Sequence, residues 1–370
     1  MRGRGLHMKN KKICIITTTI NPPKFLLEYF LNFQKFNVPL HNVTFIVVAD
    51  NKTPDIQLYK RYSDFIEYWS PRKQDKWLTK TFPNKTQKIK EYLIPINDMR
   101  RRNFGYLRAI ELQADITITI DDDNLPQKNV SWLHGHIKSF EVSHQIIYSS
   151  NQLVNPCNSL LLNHKNIYSR GYPIAEHYSN IETLGIKTKK SILNMGLWTN
   201  KPDVDSFTNC LYPDLKSEGL KNEGYSLAEY NYFPVNTQNT VFTKKLNIFH
   251  NLFMDSQMFH RFDDIWMGLF TQRLMHKMGD TASFGKPIVE HRRNTHDYIK
   301  DFFIEYQGLT LNSKVWKSIM ELPIKSKNYK DGFLEIADML PNIFRDSKIK
   351  KYFVKMRTSM YLWVELIEKL

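Results

Sequence analysis

The stretch Ile116-Thr117-Ile118-Thr119-Ile120-Asp121-Asp122-Asp123-Asn124 joins an alternating β-branched run to three consecutive carboxylates. Isoleucine at every second position predicts a β-strand. Three adjacent acids at its end repel one another unless a cation or hydrogen-bond donors compensate them. Alternate side chains of a strand point the same way, so Asp121 and Asp123 can reach one divalent cation while Asp122 turns aside. A solvated acidic turn is the alternative interpretation.

Two earlier segments show the same arrangement of a strand followed by polar residues. Residues 13–18 form a predicted strand that ends in a threonine triplet, and residues 43–49 form another that ends at Asp50. Helices are predicted after Asn21-Pro22-Pro23 and over residues 101–110. Alternating strands and helices predict an α/β fold with a mostly parallel sheet, whose strands end at a common crevice.

The pattern beyond residue 123 is less regular. We predict a strand at residues 145–149, long polar loops over residues 151–232 and helices in the C-terminal third. Residues 329–370 carry apolar side chains at helical spacing beside several lysines. Packing against the main domain is the favoured interpretation of this tail. Contact with a partner or a membrane surface is the alternative.

Composition limits the partners and the compartment. The chain has 370 residues and a formal net charge of +15, which suits nucleic acid, an anionic membrane or phosphorylated ligands. Its lysines and arginines are scattered and we find no nucleic-acid-binding motif, so no nucleic-acid partner is expected. No apolar run approaches the roughly 18 residues of a membrane helix. Three widely spaced cysteines give no disulfide framework. We therefore expect a cytoplasmic protein, with peripheral membrane contact through its basic C-terminal region as the alternative, and predict that residues 1–8 are an expression leader.

The order of motifs resembles the core of the GT-A glycosyltransferases. It consists of a strand with a threonine-rich turn, a second strand ending at Asp50, a helix beginning near Arg102, and the acidic triplet. The N-terminal half also resembles the STELLO-type glycosyltransferases. Five later elements follow the order found in the reversibly glycosylated polypeptides, the plant UDP-arabinopyranose mutases: Arg170-Gly-Tyr-Pro, Gly196-Leu-Trp-x-Asn-x-Pro-Asp, Phe233-Pro followed by Asn239, Arg261-Phe-Asp-Asp-Ile-Trp-x-Gly and His291.

This resemblance implies a domain organisation. A GT-A Rossmann-like mixed sheet flanked by helices is expected over residues 9–310, followed by a helical C-terminal extension over residues 311–370. Within the first part, residues 9–125 are expected to bind the nucleotide and residues 126–310 to bind the sugar and the acceptor.

The resemblance also implies a ligand set. Asp121, Asp123 and His291 are expected to bind Mn²⁺ or Mg²⁺, although a lone histidine is otherwise often structural. Arginine and lysine donors are expected to neutralise the diphosphate. The residues expected to contact the nucleotide or the sugar of a UDP-sugar donor are Thr17, Thr18, Thr19, Asp50, Lys52, Arg102, Asn103, Asp122, Trp198, Asn239 and Trp266. For Lys52 and Arg102 the alternative is a solvated position on the surface. For Trp198 and Trp266 it is a position in the core.

Three residues are expected to take part in catalysis. Asp264 is the expected base that removes the proton of an acceptor hydroxyl, with Asp263 beside it. Capping of a helix is the alternative for both. Arg170 matches the arginine that becomes glycosylated in the mutases, and a guanidinium clamp on phosphate or carboxylate is its alternative role.

Three functions remain open on the sequence alone. The first is metal-dependent transfer, with expected inversion, of a sugar from a UDP-sugar to a carbohydrate, lipid-linked or protein acceptor. The second is a pyranose/furanose mutase of UDP-sugars with autoglycosylation at Arg170. The third is a scaffold that binds nucleotide sugars without turnover. Oligomer formation is compatible with each of them.

Overall fold

The computed structural model describes residues 11–54, 56–62, 64–255, 259–293 and 297–370, without the side chains of residues 187 and 188. The predicted leader at residues 1–8 lies outside the described residues. The strands and helices are numbered in chain order.

The strands of the described residues form one mixed sheet. The strands are β1 (Ile13–Thr19), β2 (Val43–Ala49), β3 (Ile66–Trp69), β4 (Ile116–Asp121), β5 (Asn124–Pro126), β6 (His144–Ser149), β7 (Leu160–Leu162), β8 (Glu182–Lys189), β9 (Leu193–Asn200), β10 (Ser217–Leu220), β11 (Gly224–Leu227), β12 (Asn239–Thr243) and β13 (Ala282–His291). The main path of the sheet runs β3-β2-β1-β4-β12-β9-β13-β11-β6-β8, while β5 pairs with β13 and β10 pairs with β7 and β9.

Helices cover the sheet and form the C-terminal part of the chain. They are α1 (Lys24–Lys35), α2 (Pro71–Thr81), α3 (Thr86–Tyr92), α4 (Arg102–Glu111), α5 (Trp132–Glu141), α6 (Ser206–Leu211), α7 (Asp263–Lys277), α8 (Tyr298–Met320), α9 (Tyr329–Met339) and α10 (Ser347–Lys369). Short 3₁₀ helices also occur, among them Ile56–Tyr62 and Met99–Arg101. The predicted α/β fold, with a mixed sheet, flanking helices and a helical C-terminal part, is confirmed.

The parallel strands β3, β2, β1 and β4 place the predicted polar strand ends side by side. Thr18 of β1 lies in register with Val48 of β2 and with Asp121 of β4. Both faces of this part of the sheet are covered, because the isoleucines and the intervening threonines of β4 are all buried. The carboxyl ends of β1, β2 and β4 therefore meet at one edge, as the sequence predicts.

The prediction of long loops over residues 151–232 is wrong. This stretch contains the strands β7 to β11 and the helix α6. β7, β10 and β11 have only three or four residues, and β8 lies at the end of the main path with mostly exposed or half-exposed side chains. A strand with little buried surface carries no alternating apolar pattern, which explains why the sequence did not reveal it.

The C-terminal helices pack against the sheet domain. Trp363 of α10 is fully buried, stacks on His250 with ring centroids 4.3 Å apart, and donates its indole N–H to the Asn247 carbonyl at 3.0 Å. This is the favoured interpretation of the amphipathic tail. α8 crosses residue 310, so the predicted division of the chain at that point falls within a helix and stays a prediction. Among the described residues, no helix has the length and apolarity needed to cross a bilayer.

We expect Trp363→Ala to lower the free energy of unfolding by about 3–5 kcal/mol, because it removes a buried aromatic side chain and leaves a cavity. Urea denaturation followed by circular dichroism measures this change. Val354→Ala, on the exposed side of the same helix, is the matched control and should change stability by less than about 0.5 kcal/mol. Equal stability of Trp363→Ala and the parent would show that α10 is not part of the cooperative fold.

Candidate functional site

A cleft of about 360 Å³ opens at the carboxyl ends of β1, β2 and β4. This size lies within the range of small-molecule binding sites. Carboxylates, guanidinium groups and hydroxyls dominate its lining. Most of the predicted polar residues line it, namely Thr18, Thr19, Asp50, Lys52, Arg102, Asp121, Asp122, Asp123, Arg170, Asp264 and His291.

Asp121 is compensated by an arginine on the neighbouring helix. Its carboxylate forms an ion pair with the guanidinium of Arg102, the first residue of α4. Arg102 also donates to the hydroxyls of Thr237 and, at 3.3 Å, of Thr18. Burial raises the pKa of Asp121 even though the charge of Arg102 opposes this shift. Arg102, which the sequence predicts to donate hydrogen bonds to the diphosphate, is thus paired with an aspartate of the protein itself.

Asp122 is held by the end of β1. Its Oδ2 accepts hydrogen bonds from the Thr19 hydroxyl at 2.5 Å and from the Asn21 amide at 3.0 Å. Burial raises the pKa of Asp122 to about 6, while the bond from Thr19 partly opposes the shift. Asp122 therefore connects the turn after β4 to the turn after β1. Because β4 ends at Asp121, Asp122 and Asp123 lie in that turn and not on the strand.

Asp123 faces His291, the last residue of β13, at 3.5 Å between Oδ2 and Nε2. The Nδ1 of His291 lies 2.7 Å from the Lys201 carbonyl, and because a carbonyl only accepts, Nδ1 carries the proton. Burial opposes the charged state of each group, but their mutual attraction outweighs it. The pKa of Asp123 is consequently lowered and the pKa of His291 raised.

The residues present allow a divalent cation at Asp123 and His291, but not a larger protein ligand set. A histidine whose Nδ1–H is fixed by a backbone carbonyl presents Nε2 in the manner of metal-binding histidines. Asp121 is turned toward Arg102 instead. Among the described residues, no three histidine, cysteine, aspartate or glutamate side chains converge to hold a metal ion. Mg²⁺ and Mn²⁺ sites commonly use one or two protein ligands and complete their shell with phosphate and water.

Arg170 lies between two buried carboxylates. Its Nε contacts both oxygens of Asp203 at 3.1 Å, and its Nη1 and Nη2 donate to Asp264 at 3.1 and 2.9 Å. Nη1 also donates to the Arg261 carbonyl at 2.5 Å. Burial disfavours the charge of Arg170, but the two carboxylates outweigh it and raise its pKa well above the usual value. Asp203 was not among the predicted site residues and lines the cleft.

Asp263 lies behind Asp264 and does not line the cleft. Its Oδ2 accepts a hydrogen bond from Asn251 at 2.6 Å, and its Oδ1 is buried without a hydrogen-bond partner in the described structure. Burial and the neighbouring charge of Asp264 raise the pKa of Asp263 to about 7. The predicted pair of acids is thus divided between a position at the cleft and one in the supporting layer.

Five predicted contact residues are placed inside the protein, away from the cleft lining. Trp266 donates its indole N–H to Asn312, and Asn103 donates to the backbone of Leu93 and Asn251. Asn239 likewise donates to the Pro287 carbonyl, whereas the indole N–H of Trp198 is buried without a hydrogen-bond partner in the described structure. The ligand roles of these residues stay predictions. The five are Thr17, Asn103, Trp198, Asn239 and Trp266.

Three arginines that the sequence reasoning missed line the cleft: Arg101, Arg261 and Arg293. Arg101 is 1% exposed, and its Nε and Nη2 are buried without a hydrogen-bond partner in the described structure. Burial lowers the pKa of Arg101. Arg261 is paired with Glu305 at 2.7 Å. The only sequence signal for Arg101 was its position beside Arg102, which did not distinguish the two side chains.

A family model described as "Reversibly glycosylated polypeptide" matches residues 8–370. The chain belongs to this family. Among curated proteins, UDP-arabinopyranose mutase 3 of Arabidopsis thaliana is 24% identical over 287 residues, which cover 75% of this chain and 74% of that protein. UDP-arabinopyranose mutase 1 of Oryza sativa subsp. japonica is 23% identical over 287 residues, which cover 75% and 73%. The predicted relationship to UDP-sugar mutases is confirmed.

Solved structures are more distant. Glucosyl-3-phosphoglycerate synthase from Mycobacterium tuberculosis in complex with UDP is 9% identical with a TM-score of 0.37, covering 85% of this chain and 82% of that one. S. aureus TarS 1-349 in complex with UDP is 12% identical with a TM-score of 0.37, covering 91% and 73%. These scores are too low to define the fold, which rests on the strand order described above.

Proposed function

We propose that the cleft binds a UDP-sugar together with Mn²⁺ or Mg²⁺ and breaks the bond between the sugar and the diphosphate. The observation that carries this proposal is the juxtaposition, in one cleft, of the acidic triplet with a buried guanidinium that has unused donors. Such a site binds a divalent cation and a diphosphate next to each other. Membership in a family whose curated relatives are named UDP-arabinopyranose mutases supports a UDP-sugar as the ligand.

Asp123 and His291 are the proposed side chains that hold the cation, which supplies positive charge against the charge that develops on the leaving diphosphate. In this proposal Asp121 acts through Arg102, keeping that guanidinium oriented at the end of β4. Asp122 fixes the turn after β1, so that Thr18 and Thr19 stand beside the nucleotide.

Arg101 is the proposed donor to the nucleotide. Arg101 lines the cleft together with Asp50 and Lys52, and its Nε and Nη2 are buried without a hydrogen-bond partner in the described structure. A buried guanidinium with unpaired donors is costly, and an anionic or carbonyl oxygen of a ligand relieves that cost. The sequence predicts Arg102 for this role; its Nη1 and Nη2 are engaged by Thr237 and Asp121, while its Nε is also buried without a hydrogen-bond partner in the described structure.

Asp123→Ala should abolish the Mn²⁺-dependent part of UDP binding, because it removes an oxygen ligand from the proposed cation site. His291→Ala should have the same effect. Isothermal titration of UDP with and without Mn²⁺ measures this loss, while circular dichroism confirms folding. The exposed pair His164 and Asp214, 2.9 Å apart, provides the matched control through Asp214→Ala. Unchanged Mn²⁺-dependent affinity in Asp123→Ala contradicts the assignment.

Arg101→Gln should weaken UDP binding by roughly tenfold to a hundredfold, since a hydrogen bond to a charged group contributes about 1.5–3 kcal/mol. The same substitution relieves a buried charge, so the free energy of unfolding without ligand should not fall. Thermal denaturation with and without UDP separates the two effects. Arg345→Gln on the surface is the control. Equal UDP affinity of Arg101→Gln and the parent would exclude this donor role.

Two fates of the released sugar are distinguished by specific observations. Recapture by the same UDP in another ring form, a mutase reaction, is favoured by the names of the relatives and by the hydrogen bonds from Arg170 that occupy both carboxylate oxygens of Asp264. Transfer to an acceptor hydroxyl is favoured by the position of the carboxylates Asp203 and Asp264, which both line the cleft. We place the mutase first.

Autoglycosylation at Arg170 finds no support in the geometry. Its three nitrogens are engaged by Asp203, Asp264 and the Arg261 carbonyl, and its raised pKa keeps the guanidinium charged and poorly nucleophilic. We propose that Arg170 is a clamp that positions Asp264.

Incubation with a panel of UDP-sugars and Mn²⁺, followed by chromatography and intact-protein mass spectrometry, tests these proposals together. An isomeric UDP-sugar with an unmodified protein mass is the expected result. Free UDP with a new glycoside would favour transfer, and a protein mass increased by one sugar would overturn the clamp role of Arg170. Binding without turnover would leave the scaffold function, and no binding of any UDP-sugar with metal present would refute the proposal.

A further inference from the structure

A second groove, of about 640 Å³, lies between the edge strand β3 and the helix α2. Neither the predicted site residues nor the proposed function uses it. Aromatic rings form its floor and cationic side chains its rim. The aromatic members are Tyr59, Tyr68, Trp69 and Trp77, and the cations are Lys60, Lys73, Lys76, Lys80 and Arg108.

The floor is held in a fixed geometry by a charged network. The indole N–H of Trp69 donates to Glu67 at 3.0 Å, and that of Trp77 donates to Glu111 at 2.9 Å. Arg108 bridges the two glutamates, donating to Glu67 at 2.9 and 3.0 Å and to Glu111 at 2.6 Å. Both indole rings are thus oriented, and Glu67, the only carboxylate among the described residues that line the groove, is neutralised by Arg108.

The rim carries positive charge that the described chain does not compensate. Lys76 and Lys80 lie one turn apart on α2 and are exposed. Among the described residues, none forms an ion pair with Lys60, Lys76 or Lys80. The only acid of α2, Asp75, is paired with Lys90 at 3.1 Å. Four exposed lysines around two half-buried indoles fit a ligand that combines flat apolar faces with several negative charges.

Hydrogen bonds connect the groove to the cleft. Tyr59 lines the groove, and its hydroxyl donates to the carbonyl of Asn21 at 2.6 Å. Asn21 lines the cleft and donates to Asp122. Gln74 of α2 donates to the carbonyls of Ala49 and Trp69, so it ties the groove to the end of β2. A ligand in the groove therefore lies next to the candidate site for sugar chemistry.

We propose that this groove binds an anionic glycan, a chain of sugars that carries carboxylate or phosphate groups. One face of a pyranose ring stacks on a half-buried indole, and the lysines contact the acidic groups. Trp69 and Trp77 both pack against Phe104, with interplanar angles of 54° and 76°. The choice of a sugar chain over a nucleic acid rests on the proposed function of the adjoining cleft.

Tryptophan fluorescence provides a selective test. The chain has seven tryptophans, and only Trp69 and Trp77 are not fully buried. The probes are an oligogalacturonate for carboxylate, a phosphorylated oligomannose for phosphate, neutral maltotetraose, and oligo(dT). Quenching by either anionic oligosaccharide, weakened by salt and absent with maltotetraose, is the expected result. The tryptophans that should not respond are Trp132, Trp198, Trp266, Trp316 and Trp363.

The double variant Lys76→Glu/Lys80→Glu should weaken binding of the anionic oligosaccharide by about tenfold or more, since it reverses two charges at the rim. Lys348→Glu/Lys351→Glu on α10 changes the net charge equally at a distant surface and should leave the affinity within about threefold. UDP binding should be unchanged in the first variant, because neither lysine lines the cleft.

Three results would overturn the proposal. Absence of quenching by both anionic oligosaccharides excludes the ligand class, and equal weakening by the two double variants reveals only non-specific attraction to a basic protein. Tighter binding of oligo(dT) than of either sugar chain assigns the groove to nucleic acid. Because the probes contain no UDP and need no metal, these outcomes are distinguishable from failure of the proposed function, which appears as loss of UDP binding.

Discussion

The central constraint on this structure is the repulsion among three adjacent carboxylates at the end of β4. Each of them receives a different partner: Asp121 an arginine, Asp122 the hydroxyl and amide at the end of β1, and Asp123 a histidine. The partners come from α4, from the turn after β1 and from β13, so compensation of the triplet draws three separate parts of the chain to one point. The cleft is the space that these elements enclose.

A second charged group underlies the opposite wall of the cleft. The guanidinium of Arg170 neutralises Asp203 and Asp264, but Asp263 is buried beside them without a cation of its own. Its pKa is raised to about 7 by burial and by Asp264, so folding favours its protonated form. The stabilising contribution of this proton is present in acid, below the usual pKa of an aspartate, and is lost as the pH rises through about 7.

The elements near the acidic triplet could be predicted because their signals are local. Alternation in residues 116–120 defines β4, and the polar ends of β1 and β2 follow within one or two residues. The partners could not be predicted in the same way. Arg102 meets Thr237, which is 135 residues away, and only the folded sheet brings them together. Likewise, Trp198 and Trp266 belong to a residue type that stacks on sugars, but their burial depends on the packing of β9 and α7 against distant neighbours.

The stacking of Trp363 on His250 has a consequence for the handling of this protein. The next residue, Asn251, donates its side-chain amide to Asp263, and its backbone N–H donates to Asn103 at 2.7 Å. α10 thus packs against His250, and the neighbouring Asn251 lines the cleft and holds Asp263. Shortening the C-terminus, or fusing a bulky carrier to it, is therefore a perturbation of the ligand site, and an inactive truncated protein would not by itself locate a catalytic residue in the removed segment.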